Sequence, residues 1–268
     1  MTVKNIDIET IFAILRKASD ITENRETVSK VNSKGDKNFV TAADKAVQEY
    51  VRKELKTLHP EVDFFAEEDE DHSNCRDMRW ILDPVDGTTN LMHDFPLYCV
   101  SLALAIKDTV IFGAIYHPKN GDIFYAVKGE GAFRLYDNGA KKEKISVSNV
   151  SEMKNALTTI GTSPYYKELH DRNFRLFRAL FENTQDLRRT GSAAIDCCYL
   201  AAGYNDVFVE SLLQPWDYAA GSLIITESGG RITDFDGNQP SLTKASSIVA
   251  TNGIIHDDIL KLIKREFV

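Results

Sequence analysis

The most informative stretch of this 268-residue chain reads Trp80-Ile81-Leu82-Asp83-Pro84-Val85-Asp86-Gly87-Thr88-Thr89-Asn90. It begins as an apolar strand, and Pro84 lacks the N–H group that a sheet ladder needs, so we expect the strand to stop at Asp83. Asp83 and Asp86 would then lie at the edge of a sheet. Gly87 and the two small hydroxyl residues after it permit a tight turn whose N–H groups point at one place, as at an anion-binding helix start. Carboxylates beside an anion site predict a cation between them.

Further acidic residues that can join this pair occur in two distant places. Glu67-Glu68 follows a short apolar run that ends at Ala66, and Asp217 follows Trp216 near a predicted helix start. Two such charges about 4 Å apart repel by roughly 4 kcal/mol at an effective dielectric constant near 20, so a cluster of four would need a cation. Oxygen donors without paired His or Cys favour a hard ion such as Mg²⁺.

A cation site of this kind predicts hydrolysis by water. Two or three metals that share carboxylates can acidify an attacking water and neutralise the leaving oxygen. Thr88 can orient that water if a carboxylate accepts its hydroxyl proton, and Asp44 is the acid that we select for this role. We therefore expect a Mg²⁺-dependent phosphatase that acts on a small, polar phosphate ester.

The rest of the chain predicts layers of helices and sheets, an α+β (layered α/β) fold. Apolar residues at helical spacing indicate helices over residues 8–18 and 43–58, and the polar segment from Val31 to Phe39 between them reads as a loop. Strand-like runs follow at residues 63–66, 79–83, 98–107, 110–116, 122–127 and 131–135. The second half alternates strands at 156–161, 206–210, 231–234 and 247–250 with helices at 171–181, 193–202, 218–227 and 257–265.

The composition excludes several classes of protein. A hydrophobic content of 43% with 27% charged residues is typical of an ordered globular chain. The net charge of −8 disfavours nucleic acid as a partner. Apolar runs are shorter than the roughly 20 residues of a bilayer span, so we expect no membrane partner and a cytoplasmic protein. The cysteines (Cys75, Cys99, Cys197 and Cys198) form no C-x-x-C pair and the six histidines are scattered, so we expect reduced thiols and no zinc.

Each candidate residue also has an ordinary structural interpretation. The run from Glu68 to Asp71 is typical of a solvated acidic face, and Trp216-Asp217 of a helix cap over a core aromatic. Gly191-Ser192 can be a helix start, and Glu210 an exposed strand residue. The order in which these signals occur along the chain is more specific than any one of them.

That ordered combination resembles the inositol monophosphatase family over nearly the full chain. Its motifs are Glu67-Glu68 after a hydrophobic strand, W-x-x-D-P-x-D-G-T-x-N from Trp80 to Asn90, and W-D-x-x-A-G from Trp216 to Gly221. The resemblance implies a sugar-phosphatase-like fold of alternating α-β-α-β-α layers. It also implies two or three Mg²⁺ ions, inhibition by lithium and a homodimer.

The resemblance assigns functions to both halves of one compact unit. An N-terminal half, residues 1–150, would carry most metal ligands, and a C-terminal half, residues 151–268, would carry Asp217 and the substrate wall. The implied metal ligands are Glu67, Asp83, the Val85 carbonyl, Asp86 and Asp217. The implied catalytic residues are Asp44, Thr88 and Glu67. The implied substrate-binding residues are Gly87 and Thr88 at the phosphate, and Gly191, Ser192, Ala193 and Glu210 at the sugar hydroxyls.

Several functions remain open at this point. The leading substrate is myo-inositol monophosphate, and the alternatives are the 2'-phosphate of NADP, whose base could stack on Tyr165 and Tyr166, and fructose 1,6-bisphosphate. Aspartyl-phosphate phosphatases carry D-x-D-G-T, whereas the aspartates here have the spacing D-x-x-D. A non-catalytic protein that contacts the transcription machinery, as bacterial relatives do, is supported only by Arg188-Arg189.

Overall fold

The structure is a computed structural model that describes residues 6–22, 31–35, 38–69, 77–137 and 139–267. The helices are α1 (Ile8–Thr22), α2 (Ala42–Leu58), α3 (Thr88–Met92), α4 (His170–Asn183), α5 (Ala193–Ala201), α6 (Pro215–Glu227) and α7 (His256–Glu266). The strands of the first half are β1 (Val31–Gly35), β2 (Asn38–Thr41), β3 (Asp63–Ala66), β4 (Met78–Asp86), β5 (Cys99–Ile106), β6 (Thr109–His117), β7 (Asp122–Val127), β8 (Gly131–Tyr136) and β9 (Lys141–Lys144). Those of the second half are β10 (Leu157–Ile160), β11 (Asp186–Arg188), β12 (Val207–Leu213), β13 (Arg231–Thr233) and β14 (Ser246–Thr251), and short 3-10 turns lie at Met153–Asn155 and Lys167–Leu169.

These strands form two large sheets and a hairpin. The seven-stranded sheet has the order β3-β4-β5-β6-β7-β8-β9 and is antiparallel except for the parallel pair β3 and β4. The five-stranded sheet has the order β11-β10-β12-β14-β13, with β10 parallel to both of its neighbours and β14 antiparallel to both of its own. Strands β1 and β2 pair with each other.

Buried side chains show how the helices and sheets are layered. Helices α1 and α2 cover one face of the seven-stranded sheet, where Phe12 and Val51 join Leu102 and Leu104 in one apolar core. Helices α5 and α6 fill the space between the two sheets. Helices α4 and α7 cover the far face of the five-stranded sheet. This order of α-β-α-β-α layers confirms the predicted fold.

The approach of α6 to the seven-stranded sheet depends on small residues. Ala103 and Ala105 of β5 belong to the core shared with α5 and α6, whereas their neighbours along the strand face α1 and α2. A Cβ atom on Gly113 of β6 would lie 2.8 Å from the Ala220 carbonyl oxygen of α6. Side chains any larger would push the helix outward. The close contact fixes the position of α6, whose first turn carries Asp217.

The expectation that β4 stops at Asp83 is wrong. Strand β4 continues to Asp86, and its register against β5 shifts between Asp83, which pairs with Ser101, and Asp86, which pairs with Cys99. Between these two pairs β4 advances by three residues and β5 by two, which is a β-bulge. A bulge is one of the few places where a sheet tolerates proline. The bulge still places the Asp83–Asp86 segment beyond the end of β3.

Other expectations need smaller corrections. Within the predicted loop, residues 31–35 form β1 and residues 38–39 begin β2, so these residues are strands; their polar composition gave no alternating pattern. Helix α6 begins at Pro215, three residues before the predicted start. Asp69 of the acidic run is not a solvated residue, because it forms an ion pair with Arg52 and accepts a hydrogen bond from Gln48. Glu70 and Asp71 lie outside the described residues.

Three remaining expectations concern the whole chain. Cys99, Cys197 and Cys198 are buried free thiols, as predicted, and Cys75 lies outside the described residues. Within the described ranges, none of the helices combines the length and the apolar character that a bilayer crossing requires. The division into halves at residue 150 remains a prediction.

Candidate active site

Most of the predicted site residues meet at one cavity. It has a volume of about 130 Å³ and receives Glu67 from the end of β3, Asp83 and Asp86 from β4, and Asp217 from α6. The other predicted residues on its wall are Val85, Gly87, Thr88, Gly191, Ser192, Ala193 and Glu210. Residues more than 100 positions apart in the sequence therefore converge on a single site.

Each of the three aspartates has one oxygen held in place. Asp83 Oδ1 accepts a hydrogen bond from the Val85 N–H at 2.9 Å. Asp217 Oδ2 accepts from the Gln214 N–H at 2.7 Å, as part of a capping box at the start of α6. Asp217 therefore caps the helix, as its structural interpretation predicted, and it also lines the cavity. These bonds fix the direction in which each carboxylate points.

Asp86 joins the two halves of the chain. Its Oδ2 accepts hydrogen bonds from Ser192 Oγ at 2.6 Å and from the Ala194 N–H at 2.7 Å, and Cys99 Sγ lies 3.8 Å away. Ser192 is also the N-cap of α5, because its Oγ accepts from the Ile195 N–H. A carboxylate at the start of a helix is favourable for the helix dipole as well.

Thr88 and Asp44 are in direct contact, as predicted. Asp44 lies in the first turn of α2 and is only 1% exposed, although it is absent from the cavity wall. Thr88 Oγ1 lies 3.0 Å from Asp44 Oδ1 and 3.1 Å from the Val85 carbonyl oxygen. A hydroxyl group has one proton to donate and two lone pairs that accept. When the proton goes to Asp44, the lone pairs of Thr88 are available to a water molecule.

A tight turn and a short helix follow the aspartates. Gly87 has a φ of 92°, a left-handed conformation that favours glycine, and a Cβ atom there would lie 3.0 Å from the Leu97 carbonyl oxygen. Helix α3 starts at the next residue, Thr88. Asn90 of this helix donates to the carbonyl oxygens of Leu97 at 2.5 Å and Thr190 at 3.0 Å. The turn is thereby tied to the loop that precedes Gly191.

The charges of this cavity favour a cation. Burial raises the pKa of Asp83 well above its ordinary value, and repulsion from Glu67, Asp86 and Asp217 raises it further. Burial also raises the pKa of Asp217, with Asp86 and Glu67 as the next causes. A divalent ion would neutralise this repulsion, and donors that are all oxygen fit Mg²⁺. Within the described ranges no three His, Cys, Asp or Glu side chains form a group already arranged to hold a metal ion, so the ligand assignment remains a prediction.

Glu210 is a buried wall residue, so its interpretation as an exposed strand residue is wrong. It is 7% exposed and accepts a hydrogen bond from the Ser163 N–H at 2.9 Å. A Cβ atom on Gly161 would lie 1.8 Å from Glu210 Oε2, so this position has no room for a side chain. Burial raises the pKa of Glu210 to about 7, against the opposing effects of Ser163 and Arg189.

Two further charged residues on the wall were not predicted from the sequence. Asp196, in the first turn of α5, is 2% exposed, and its Oδ1 has no hydrogen-bond partner among the described residues. A single carboxylate in an otherwise apolar helix was the available signal. Arg189 also lines the cavity, and nothing in the sequence distinguished it from Arg188.

A second cavity of about 410 Å³ adjoins the first. The two share Glu67, Pro164, Tyr165, Glu210, Leu213 and Asp217. The wall of the second cavity is more apolar, with Pro164, Tyr165, Tyr166, Leu212, Leu213 and Trp216. Pro164 and Tyr165 line both cavities, so this segment lies between a small acidic cavity and a larger aromatic one.

A layered α+β chain whose acidic cavity adjoins the Gly87 turn and a helix start has the features of a phosphoric monoester hydrolase. The sequence model of the inositol monophosphatase family matches residues 2–266. The chain therefore belongs to the inositol monophosphatase family, which is a family of phosphoric monoester hydrolases.

Individual relatives resemble this chain over most of its length. Nus factor SuhB of Haemophilus influenzae is 33% identical over 92% of this chain and 92% of its own. Inositol-1-monophosphatase of Mesorhizobium japonicum is 36% identical over 88% of this chain and 86% of its own. Among solved structures, extragenic suppressor protein suhB from Bartonella henselae has a TM-score of 0.86 at 30% identity, covering 97% of this chain and 99% of that one. Inositol monophosphatase from Anabaena has a TM-score of 0.80 at 30% identity, covering 97% and 98%.

Proposed function

We propose that this protein hydrolyses a small phosphate monoester, myo-inositol monophosphate first among the candidates, to the alcohol and inorganic phosphate in a Mg²⁺-dependent reaction. The observation that carries the proposal is the convergence of Glu67, Asp83, Asp86 and Asp217 on one cavity beside the Gly87 turn. The Thr88–Asp44 contact and the family membership support it.

The chain's own residues would hold the cation and the phosphate. Glu67, Asp83, the Val85 carbonyl, Asp86 and Asp217 are the proposed ligands, in a site for two or three ions. When bound, the cation supplies Lewis-acid activation of water and neutralises charge on the leaving oxygen. Gly87 and Thr88 would hold the phosphate through N–H groups at the start of α3.

The proton of the attacking water would pass to Thr88. Because Thr88 Oγ1 lies 3.0 Å from Asp44 Oδ1, it can give its own proton to Asp44 while it accepts one from the water. Water is then the nucleophile and no covalent intermediate on Asp83 is required. Detection of a phosphorylated Asp83 by mass spectrometry during turnover would instead support the aspartyl-phosphate alternative.

The direct test is a panel of small phosphate esters assayed with and without Mg²⁺. The panel contains myo-inositol 1-phosphate, fructose 1,6-bisphosphate, NADP and glycerol 3-phosphate. We expect release of phosphate only with Mg²⁺, and the highest kcat/KM for myo-inositol 1-phosphate. Release that is independent of a divalent ion, or that no ester of the panel supports, would contradict the proposal.

The aromatic cavity favours the NADP 2'-phosphate as the second candidate substrate. Tyr165, Tyr166 and Trp216 line a space of about 410 Å³ that adjoins the acidic cavity. Stacking of a base on an aromatic side chain contributes about 1–3 kcal/mol. If NADP is the substrate, Tyr165→Ala raises its KM and leaves the KM of glycerol 3-phosphate unchanged.

A protein-binding role is the remaining candidate, because several relatives are named Nus factor SuhB. Such a protein-binding role would not require catalysis in the carboxylate cavity. If Asp86→Asn abolished partner binding while hydrolysis stayed intact, the enzymatic proposal would fail.

Lithium inhibition and a homodimer, which the family resemblance implies, are further parts of the proposal. Inhibition kinetics would check the first and light scattering the second.

A further inference from the structure

A buried asparagine joins the two halves of the chain beside the acidic cavity. Asn90 lies in α3, two residues after Thr88, and is only 7% exposed. Its Nδ2 donates to the Leu97 carbonyl oxygen at 2.5 Å and to the Thr190 carbonyl oxygen at 3.0 Å. Thr190 lies 100 positions further along the chain, in the loop before α5. The amide therefore links α3 to a segment of the second half.

The carbonyl groups that Asn90 holds belong to segments that enclose the Gly87 turn. A Cβ atom on Gly87 would lie 3.0 Å from the Leu97 carbonyl oxygen and 3.4 Å from the Gly191 carbonyl oxygen. Gly191 follows Thr190 directly, and a Cβ atom there would lie 2.9 Å from both Nδ2 and Oδ1 of Asn90. Asn90 is thus packed against the same backbone that touches the turn.

The chemistry of an amide suits this double contact. One amide nitrogen carries two N–H groups, so it can donate to two carbonyl oxygens at once, which neither a hydroxyl nor a carboxylate can do. Asp86, a proposed metal ligand, makes a separate contact between the same segments through Ser192. Within the described ranges the Asn90 side chain donates only to backbone carbonyl groups. Its contribution to the site is therefore separate from metal binding.

We propose that Asn90 is a positioning residue that fixes the distance between the Gly87 turn and the wall that receives the alcohol part of the substrate. The inference rests on the proposed function, in which the phosphate lies at Gly87 and Thr88 and the alcohol at residues 191–193. A phosphate ester then contacts both segments at once, and a misplacement of about 1 Å can cost about a hundredfold in rate. Inorganic phosphate, by contrast, contacts only the turn.

The test compares an ester with inorganic phosphate in Asn90→Ala. We expect kcat/KM for myo-inositol 1-phosphate to fall by about tenfold to a hundredfold, mainly through KM, because the alcohol loses its aligned wall. The Ki of inorganic phosphate as a competitive inhibitor should change less than about twofold. Asn90→Ser keeps a polar group at this buried position and is the second variant should alanine prevent folding, with the same split expected. Equal losses for the ester and for inorganic phosphate would overturn the inference.

Asn252 provides a matched control in another part of the fold. Its Nδ2 donates to Ser148 Oγ at 3.0 Å and to the Val150 carbonyl oxygen at 2.8 Å. It is 2% exposed and is absent from the wall of the acidic cavity. Asn252→Ala should lower the melting temperature as Asn90→Ala does and leave kcat/KM and Ki unchanged. The same loss of kcat/KM in Asn252→Ala would overturn the role of Asn90, because instability alone would then explain it.

Hydrogen–deuterium exchange separates this inference from the proposed function. The N–H groups of Ser192 and Ala194 are hydrogen-bonded in the segment that Asn90 holds. Asn90→Ala should speed the exchange of amides at residues 190–194, and Asn252→Ala should not. If the wild type hydrolyses no ester, the proposed function fails, and faster exchange in Asn90→Ala still supports the link between the two segments. Unchanged exchange at 190–194 overturns that link whatever the kinetics show.

Discussion

Thr88 is the residue whose chemistry can be tested most simply. Its hydroxyl contacts Asp44 and the Val85 carbonyl, so its loss should remove the proposed path for the water proton. We expect Thr88→Ala to lower kcat by about 10²–10⁴-fold with little change in melting temperature. Thr88→Ser keeps the hydroxyl and is the control, with kcat within about tenfold of the wild type. Equal losses in the two variants would contradict a role for the hydroxyl.

His256 is a buried residue that makes stability depend on pH. Its Nε2 and Nδ1 lie 3.0 Å from the hydroxyls of Thr233 and Thr251, and the charged groups facing it are Arg231 and Asp257. Burial, helped by Arg231, lowers the pKa of His256 from 6.5 to about 4. The unfolded chain therefore binds this proton more readily than the folded one. Stability is lost as the pH falls from about 6.5 to about 4.

The measurement for His256 is a comparison with His256→Asn by urea unfolding at pH 7.5 and at pH 4.5. We expect the advantage of the wild type in free energy of unfolding to shrink by about 2 kcal/mol at the lower pH. Using the difference between the two proteins cancels the titration of the other buried acids. An advantage that does not change with pH would show that His256 keeps its ordinary pKa.

The start of α5 connects the stability of this helix to the proposed metal site. Ser192 Oγ caps this helix and donates to Asp86 at 2.6 Å. We expect Ser192→Ala to cost about 1 kcal/mol of stability through the cap. We also expect it to weaken Mg²⁺ affinity by about tenfold to a hundredfold, because a partner that orients a ligand is lost.

A serine of the next helix provides the control for this prediction. Ser222 Oγ of α6 donates only to the Ala219 carbonyl of its own helix, at 2.7 Å. Ser222→Ala should change neither stability nor Mg²⁺ affinity by a measurable amount. Mg²⁺ affinity that is unchanged in Ser192→Ala would mean that Asp86 does not depend on α5 for its orientation.

The sequence predicted most elements because their apolar residues recur with a clear period. The prediction failed where this periodicity is weak. It also failed where pairing with a neighbouring strand determines the end of an element. The β1–β2 hairpin is polar, and the end of β4 depends on a bulge against β5 that no local pattern indicates. The start of α6 was placed too late because Pro215, at a position where helices accept proline, preceded the recognisable apolar residues.

At the scale of the whole molecule, the carboxylates of the site were predictable and much of its wall was not. Asp83, Asp86 and Asp217 stand in short motifs, so their convergence could be expected before the fold was known. Asp196 and Arg189 reach the cavity only through the packing of α5 and the loop before it. Their positions depend on contacts between residues far apart in the chain, which a single sequence does not reveal.

The carboxylates Glu67, Asp83, Asp86 and Asp217 are proposed to hold a divalent ion for phosphate-ester hydrolysis. The most direct test is the initial rate of phosphate release from myo-inositol 1-phosphate as a function of Mg²⁺ concentration, for the wild type, Asp83→Asn and the exposed-loop control Asp108→Asn. The wild type and Asp108→Asn should show the same saturable activation, and Asp83→Asn should lose about 10²–10⁴-fold of the rate. A wild-type rate that does not depend on Mg²⁺, or full activity in Asp83→Asn, would contradict the claim.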